Sequence, residues 1–103
     1  MAPTAPTRQD ALAGAGLRMA SRNPGPDAAL QYSLAKPAHV TLRVYDVQGR
    51  VVRSLVDQDA DAGTFRAEWD GGTEGGSKAA RGVYFLRMTA DGQPVGTRKV
   101  MLW

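Results

Sequence analysis

The chain has 103 residues, a formal net charge of +3 and no cysteine. This length allows one small domain of marginal stability, and the absence of cysteine excludes disulfide bonds, thiolate metal sites and a cysteine nucleophile. Lysines and arginines are scattered and form no run, which disfavours a nucleic-acid partner, since such a partner needs a clustered basic patch with stacking aromatics. No stretch reaches the ~20 apolar residues that a membrane span requires.

The N-terminal segment, residues 1–16, is rich in proline, alanine and threonine. We expect it to be a flexible linker or tail, because it offers little apolar surface for packing. It does not resemble a signal peptide either, since prolines, Arg8 and Asp10 interrupt what would be the apolar segment. This composition favours a C-terminal piece of a longer, exported protein; a short protein in its own right is the alternative.

Residues 17–103 read as short strands separated by turns. Strand patterns lie at residues 17–20, 28–35, 39–45, 50–56, 64–70, 82–89 and 94–103. Turn signals recur about every eight to twelve residues, as is typical of an antiparallel β-sandwich. Residues 57–63 are predicted to be a polar loop. Residues 71–81 are predicted to be a flexible loop because they contain four glycines.

The central hairpin, residues 39–57, has the clearest alternation of apolar and polar side chains. Its apolar face is unstable alone in water, so the other strands must supply an opposing layer. Residues 82–86 add the spacing of a tyrosine corner, in which the Tyr84 hydroxyl would bond to the backbone upstream. We predict a core made of Tyr32, Leu34, Val40, Leu42, Val44, Phe65, Trp69, Tyr84, Leu86 and Met88.

Six ordered motifs carry a family resemblance over about residues 17–103. They are Asn23-Pro24, Tyr32-Ser33-Leu34, the hairpin from Val40 to Val52, Ala62-Gly63-Thr64, Trp69-Asp70-Gly71, and Gly82-Val83-Tyr84-Phe85-Leu86-Arg87 with the closing segment Arg98-Lys99-Val100-Met101-Leu102. In this order the chain resembles the immunoglobulin-like domain of flagellar hook-capping proteins and the related C-terminal, type IX secretion sorting domains of exported bacterial proteins. The resemblance implies an all-β, immunoglobulin-like antiparallel β-sandwich of about seven strands.

The resemblance also implies function. It implies no catalysis and no cofactor, but a module that other proteins recognise: an export machine, a surface attachment enzyme or copies of itself. The chain departs from the family between Trp69 and Gly82, where a second aspartate usually follows the Asp-Gly pair and where residues 72–77 stand here. A site built on that loop is therefore not expected.

The spacing of four acidic residues suggests a calcium loop. Asp57, Asp59 and Asp61 fall at positions one, three and five, and Glu68 falls at position twelve. The glycine, however, stands at position seven, where an EF-hand needs it at six, and Glu68 lies in a strand pattern. A solvated acidic turn is the alternative, and the sequence favours it because calcium needs six or more convergent oxygens.

Two functional hypotheses follow. The first is a secretion-targeting and cell-surface anchoring module that acts outside the cell or at its surface and is recognised by protein partners through Arg98, Lys99, Val100, Met101 and Leu102. The second is a structural building block of an extracellular appendage, in which residues 11–20 add as a strand to the sheet edge of a neighbouring copy. An enzyme is disfavoured, because no motif supplies a nucleophile, a base and an oxyanion site together.

Overall fold

The computed structural model describes residues 15–21, 23 and 25–103. Within these residues the regular structure consists of β-strands, and no helix is long and apolar enough to cross a membrane. The strands are β1 (Gly16–Met19), β2 (Ala28–Leu34), β3 (Ala38–Tyr45), β4 (Val51–Ala60), β5 (Gly63–Trp69), β6 (Gly82–Ala90) and β7 (Gln93–Leu102). The expected linker, residues 1–16, lies outside the described residues except for Ala15 and Gly16.

The strands form two antiparallel sheets. One has the order β1-β2-β5 and the other the order β4-β3-β6-β7. Because side chains alternate across a strand, each sheet turns one apolar face toward the other and one mixed face toward solvent. This arrangement confirms the predicted all-β sandwich of about seven strands.

The core fills the space between the two sheets. Nine of the ten predicted core side chains are buried, and the exception is Phe65, which is half-buried and stacks on Tyr32 with ring centroids 5.3 Å apart. Buried residues that the prediction omitted are Leu17, Ala28, Ala29, Leu30, Ala67, Ala90, Val100 and Leu102. Burial raises the pKa of the Tyr32 hydroxyl.

The predicted tyrosine corner is present at the start of β6. The Tyr84 hydroxyl donates a hydrogen bond to the Ala80 carbonyl over 2.6 Å. The same ring meets the indole of Trp69 edge-on, and the Trp69 Nε1–H donates to the Gly72 carbonyl over 2.8 Å. Both large aromatic side chains therefore bury their rings while their polar atoms keep partners.

Two tight turns set the register of the larger sheet. The turn after β3 is closed by Asp46, whose Oδ1 accepts the backbone N–H groups of Gln48 and Arg50. The turn between β6 and β7 is an Asp-Gly hairpin turn, with positive φ at both Asp91 (50°) and Gly92 (79°). Asp91 also accepts the His39 N–H over 2.8 Å, which ties this turn to the start of β3.

The structure corrects the bounds of one predicted loop and shows the contacts of the other. Residues 57–60 belong to β4, so the predicted polar loop 57–63 is reduced to a tight turn between β4 and β5. The apolar residues of β4 end at Val56, but Asp57 and Asp59 lie on the solvent face. There Asp57 pairs with His39 and Arg43, and Asp59 pairs with His39, so the acidic residues can continue the strand. The glycine-rich loop between β5 and β6, predicted to be flexible, is docked on the edge of β4 by the contacts described below.

Candidate partner-binding site

Strand β7 carries the predicted partner-binding residues, and it divides them between two faces. Val100 and Leu102 point into the core and are only 1% and 8% exposed. These two side chains are therefore closed to a partner, since a period of two turns every second residue inward. Recognition through this segment stays a prediction. Lys99 and Met101 lie on the outer face, and both are exposed.

Arg98 joins the two sheets where the edge strands β7 and β1 lie next to each other. Its Nε–H donates to the Leu17 carbonyl of β1 over 2.9 Å. Leu17 is buried, and its Cβ lies close to where a side chain at Gly96 would begin. The Arg98 side chain thus links β7 to β1, and the next residue along β7 is the exposed Lys99.

The outer edge of β7 is covered at one end and open in its middle. The Asn23 side chain accepts the Met101 N–H over 2.7 Å and donates to the Met101 carbonyl over 3.1 Å. The Met101 N–H and carbonyl thus point away from β6. In an antiparallel strand the backbone groups of every second residue point the same way, so the N–H and carbonyl groups of Lys99 and Thr97 lie on this same outer edge. Among the described residues, those outward groups of Lys99 and Thr97 have no hydrogen-bond partner.

The edge of β4, in contrast, is protected by the glycine-rich loop. Glu74 donates its backbone N–H to the Val52 carbonyl over 3.0 Å, and its Oε1 accepts the Ser54 N–H over 2.6 Å. Arg53 adds a hydrogen bond from Nη1 to the Thr73 carbonyl over 3.3 Å. These contacts satisfy edge groups that would otherwise invite strand addition. No local sequence motif predicts this role of Glu74, because the residue reaches β4 only when the loop folds back.

The acidic residues of β4 surround a histidine. The His39 ring contacts Asp59 through Nδ1 and Asp57 through Nε2, both over 2.7 Å. A neutral imidazole can donate only once, so this geometry favours the doubly protonated ring. The hydrogen bonds to Asp59 and then to Asp57 raise the pKa of His39 above its ordinary value of 6.5.

The four carboxylates of the calcium candidate do not converge. Asp57 and Asp59 are engaged by His39, and Asp57 also lies 3.6 Å from the Arg43 guanidinium. Asp61 follows β4, whereas Glu68 is on β5 in the other sheet and pairs with Arg66 over 3.1 Å. Within the described part of the chain, no group of three or more acidic, histidine or cysteine side chains could hold a metal ion.

Solved structures share this fold. Dimeric latent PorU from Porphyromonas gingivalis matches 85% of this chain with a TM-score of 0.71 and 17% identity, and the chain spans only 9% of that protein. FlgD from P. aeruginosa also matches 85% of this chain, with a TM-score of 0.59 and 20% identity, and 74% of the FlgD chain is covered. No curated protein sequence matches the chain.

The family assignment comes from the sequence itself. The family model described as the FlgD Ig-like domain matches residues 19–93, which include strands β2 to β6. This match confirms the resemblance to the hook-capping immunoglobulin-like domain, and the architecture agrees with it. Because the match spans well over half of the sequence, the chain belongs to the FlgD Ig-like domain family.

Proposed function

We propose that this domain is a non-catalytic C-terminal module of an exported bacterial protein, recognised by protein partners for secretion targeting and cell-surface anchoring. The observation that carries the proposal is the family match over residues 19–93. The resemblance of the chain to type IX sorting domains supports the export role, and the fold shared with PorU is consistent with it. The place of action is the cell surface or the medium.

The exposed side of β7 is the surface assigned to recognition. Lys99 and Met101 present a cation and an apolar side chain side by side on the outer face, and Met101 is 41% exposed. Arg98 contributes through its link to β1. Val100 and Leu102 hold the strand in the core, so they support the surface without forming it.

A reporter fusion tests this function. The full chain is attached to the C-terminus of a secreted reporter in a bacterium that has a type IX secretion system. The proposal expects reporter at the cell surface or in the medium, and it expects a reporter without the domain to stay inside. Retention of the fusion inside the cell, with the domain folded, would overturn the export role.

A structural building block of an extracellular appendage is the second candidate. It is favoured by the open backbone groups of Thr97 and Lys99 on the edge of β7, which could accept a strand. The predicted donor, residues 11–20, is partly used within the chain, because Gly16–Met19 pairs with β2. Light scattering of the purified protein separates the two candidates: fibres favour the appendage, and monomers at high concentration favour targeting.

A further inference from the structure

Two arginines face each other at the centre of the four-stranded sheet. Arg43 on β3 and Arg87 on β6 are register partners on the outer face. Like charges directly opposite destabilise a sheet. Arg43 has Asp57 3.6 Å away, whereas the exposed Arg87 has no acidic partner among the described residues. The centre of this face therefore carries positive charge that the described residues neutralise only in part.

An apolar row lies beside the arginines. Tyr45 and Phe85 are register partners on β3 and β6, and both rings are half-buried. The row continues to Val51 on β4, which is 52% exposed, and ends at Lys99 on β7. The two rows are two residues apart along the strands, or about 7 Å. One ligand segment can therefore contact both rows.

Three of the four exposed large apolar side chains of the described residues lie on or beside this face, and the fourth, Trp103, lines a separate depression with Pro26 and Leu102. Val47, which is 70% exposed, follows β3 in the adjoining turn, and Met101 lies beside Val83 on the same face of β7. Tyr45, Phe85 and Arg87 also line one shallow depression between the turn and β7. A contiguous apolar patch with charged borders on a small domain is typical of an interaction surface.

We propose that this outer face binds an acidic polypeptide segment that carries apolar side chains next to its carboxylates. Arginine forks bind carboxylates in bidentate geometry, and a carboxylate placed at Arg87 would relieve the repulsion with Arg43. The apolar neighbours of that carboxylate would cover Tyr45, Phe85 and Val51. This proposal deepens the proposed function by naming the chemistry of the partner, and it rests on that function only in taking the partner to be a protein.

The borders of the patch favour a peptide over a nucleic acid. Asp57 and Asp59 lie on β4 along one side, and Asp46 lies in the turn at one end. These carboxylates would repel a phosphate backbone that extends beyond the centre of the face. Arg87 and Lys99 are the cations of the patch without an acidic partner among the described residues, which is few for phosphate contacts.

Fluorescence anisotropy with a labelled peptide tests the proposal. The probe alternates glutamate with leucine between Gly-Ser ends, and a matched probe has glutamine in place of glutamate. The full chain should bind the acidic probe, and Arg87→Glu should weaken binding about tenfold or more. Val51→Ser should cause a smaller loss, about threefold. Lys36→Glu, which makes the same charge change on an exposed turn, should leave binding within about twofold.

The binding results that support the proposal differ from those that overturn it. Arg87→Glu should regain binding to a probe in which lysine replaces glutamate, and each variant is checked for an unchanged melting temperature. Absence of binding to the acidic probe, equal binding of the glutamine probe, or preferential binding of oligothymidylate would overturn the proposal. Export of the reporter fusion is scored separately, so loss of peptide binding with export retained would reject this surface without rejecting the proposed function.

Discussion

The indole of Trp69 meets the ring of Tyr84 edge-on, with centroids 5.1 Å apart and an interplanar angle of 65°. The pair joins the end of β5 in one sheet to the start of β6 in the other. Each residue also bonds a backbone carbonyl in the connection between those strands, Trp69 at Gly72 and Tyr84 at Ala80. This contact therefore fixes both the packing of the sheets and the path of the loop between them.

Truncation of the indole should remove most of the stability of the domain. Trp69 is 1% exposed, so Trp69→Ala combines lost aromatic burial with a cavity and should cost about 3–5 kcal/mol. Trp103→Ala is the matched control, because Trp103 is 66% exposed and should change stability by less than about 1 kcal/mol. Urea unfolding measures both variants. A Trp69→Ala variant that melts within a few degrees of the parent would contradict this account of the core.

A second prediction concerns Gly71, which has a φ of +81° and packs against backbone. A Cβ at this position would lie 2.9 Å from the Pro26 carbonyl oxygen and 3.2 Å from Leu102. Gly71→Ala should therefore cost more than the about 1–2 kcal/mol of the left-handed conformation alone. Gly49→Ala tests that conformation by itself, since φ there is +83° and no atom lies within 4 Å of the added Cβ. Equal losses in denaturant unfolding would refute the packing role of Gly71.

The pH dependence of stability should report His39. Because its folded pKa is raised, the stabilisation from the charged ring is fully present below about pH 6.5 and is lost as pH rises through the folded pKa. As pH rises through the folded pKa, the free energy of unfolding should thus fall more in the parent than in His39→Gln. The glutamine amide can still form a hydrogen bond, but it does not change its charge with pH. An NMR titration of the ring gives the pKa directly. A value at or below 6.5 would contradict the double contact with Asp57 and Asp59.

Glu74 provides a test of edge protection. Glu74→Ala removes the acceptor of the Ser54 N–H, so amide exchange at Ser54 should accelerate and stability should fall by about 1 kcal/mol. Glu74→Gln retains a carbonyl acceptor and should exchange nearly like the parent. Hydrogen exchange followed by NMR resolves this amide from its neighbours. Unchanged protection at Ser54 in the alanine variant would show that the Glu74 carboxylate does not protect this edge amide.

The sequence predicted the fold where side chains alternate strongly. The alternation of Val40, Leu42 and Val44 with polar residues defines β3, as found. The prediction failed for residues 57–60, because Asp57 and Asp59 extend β4 through cross-strand contacts with His39 that no local pattern shows.

The site was harder to predict than the fold. The family resemblance predicts one recognition surface over residues 98–102, but period-two alternation assigns Val100 to the core and Lys99 to solvent. The outer-face pair of Arg43 and Arg87 depends on the register between β3 and β6, which brings together residues far apart in the chain. A single sequence does not specify the register between these strands. From the sequence alone, Arg43 and Arg87 are therefore only two of many scattered arginines.

Export of the reporter fusion with a variant β7 tests the central claim most directly. Lys99→Glu combined with Met101→Glu alters the exposed side of the strand and leaves the buried Val100 and Leu102 in place. The account predicts that the parent fusion and a Lys36→Glu control reach the cell surface or the medium, while the double variant, folded by its melting curve, stays inside the cell. Export of the double variant at the level of the parent would contradict the assignment of recognition to this face of β7.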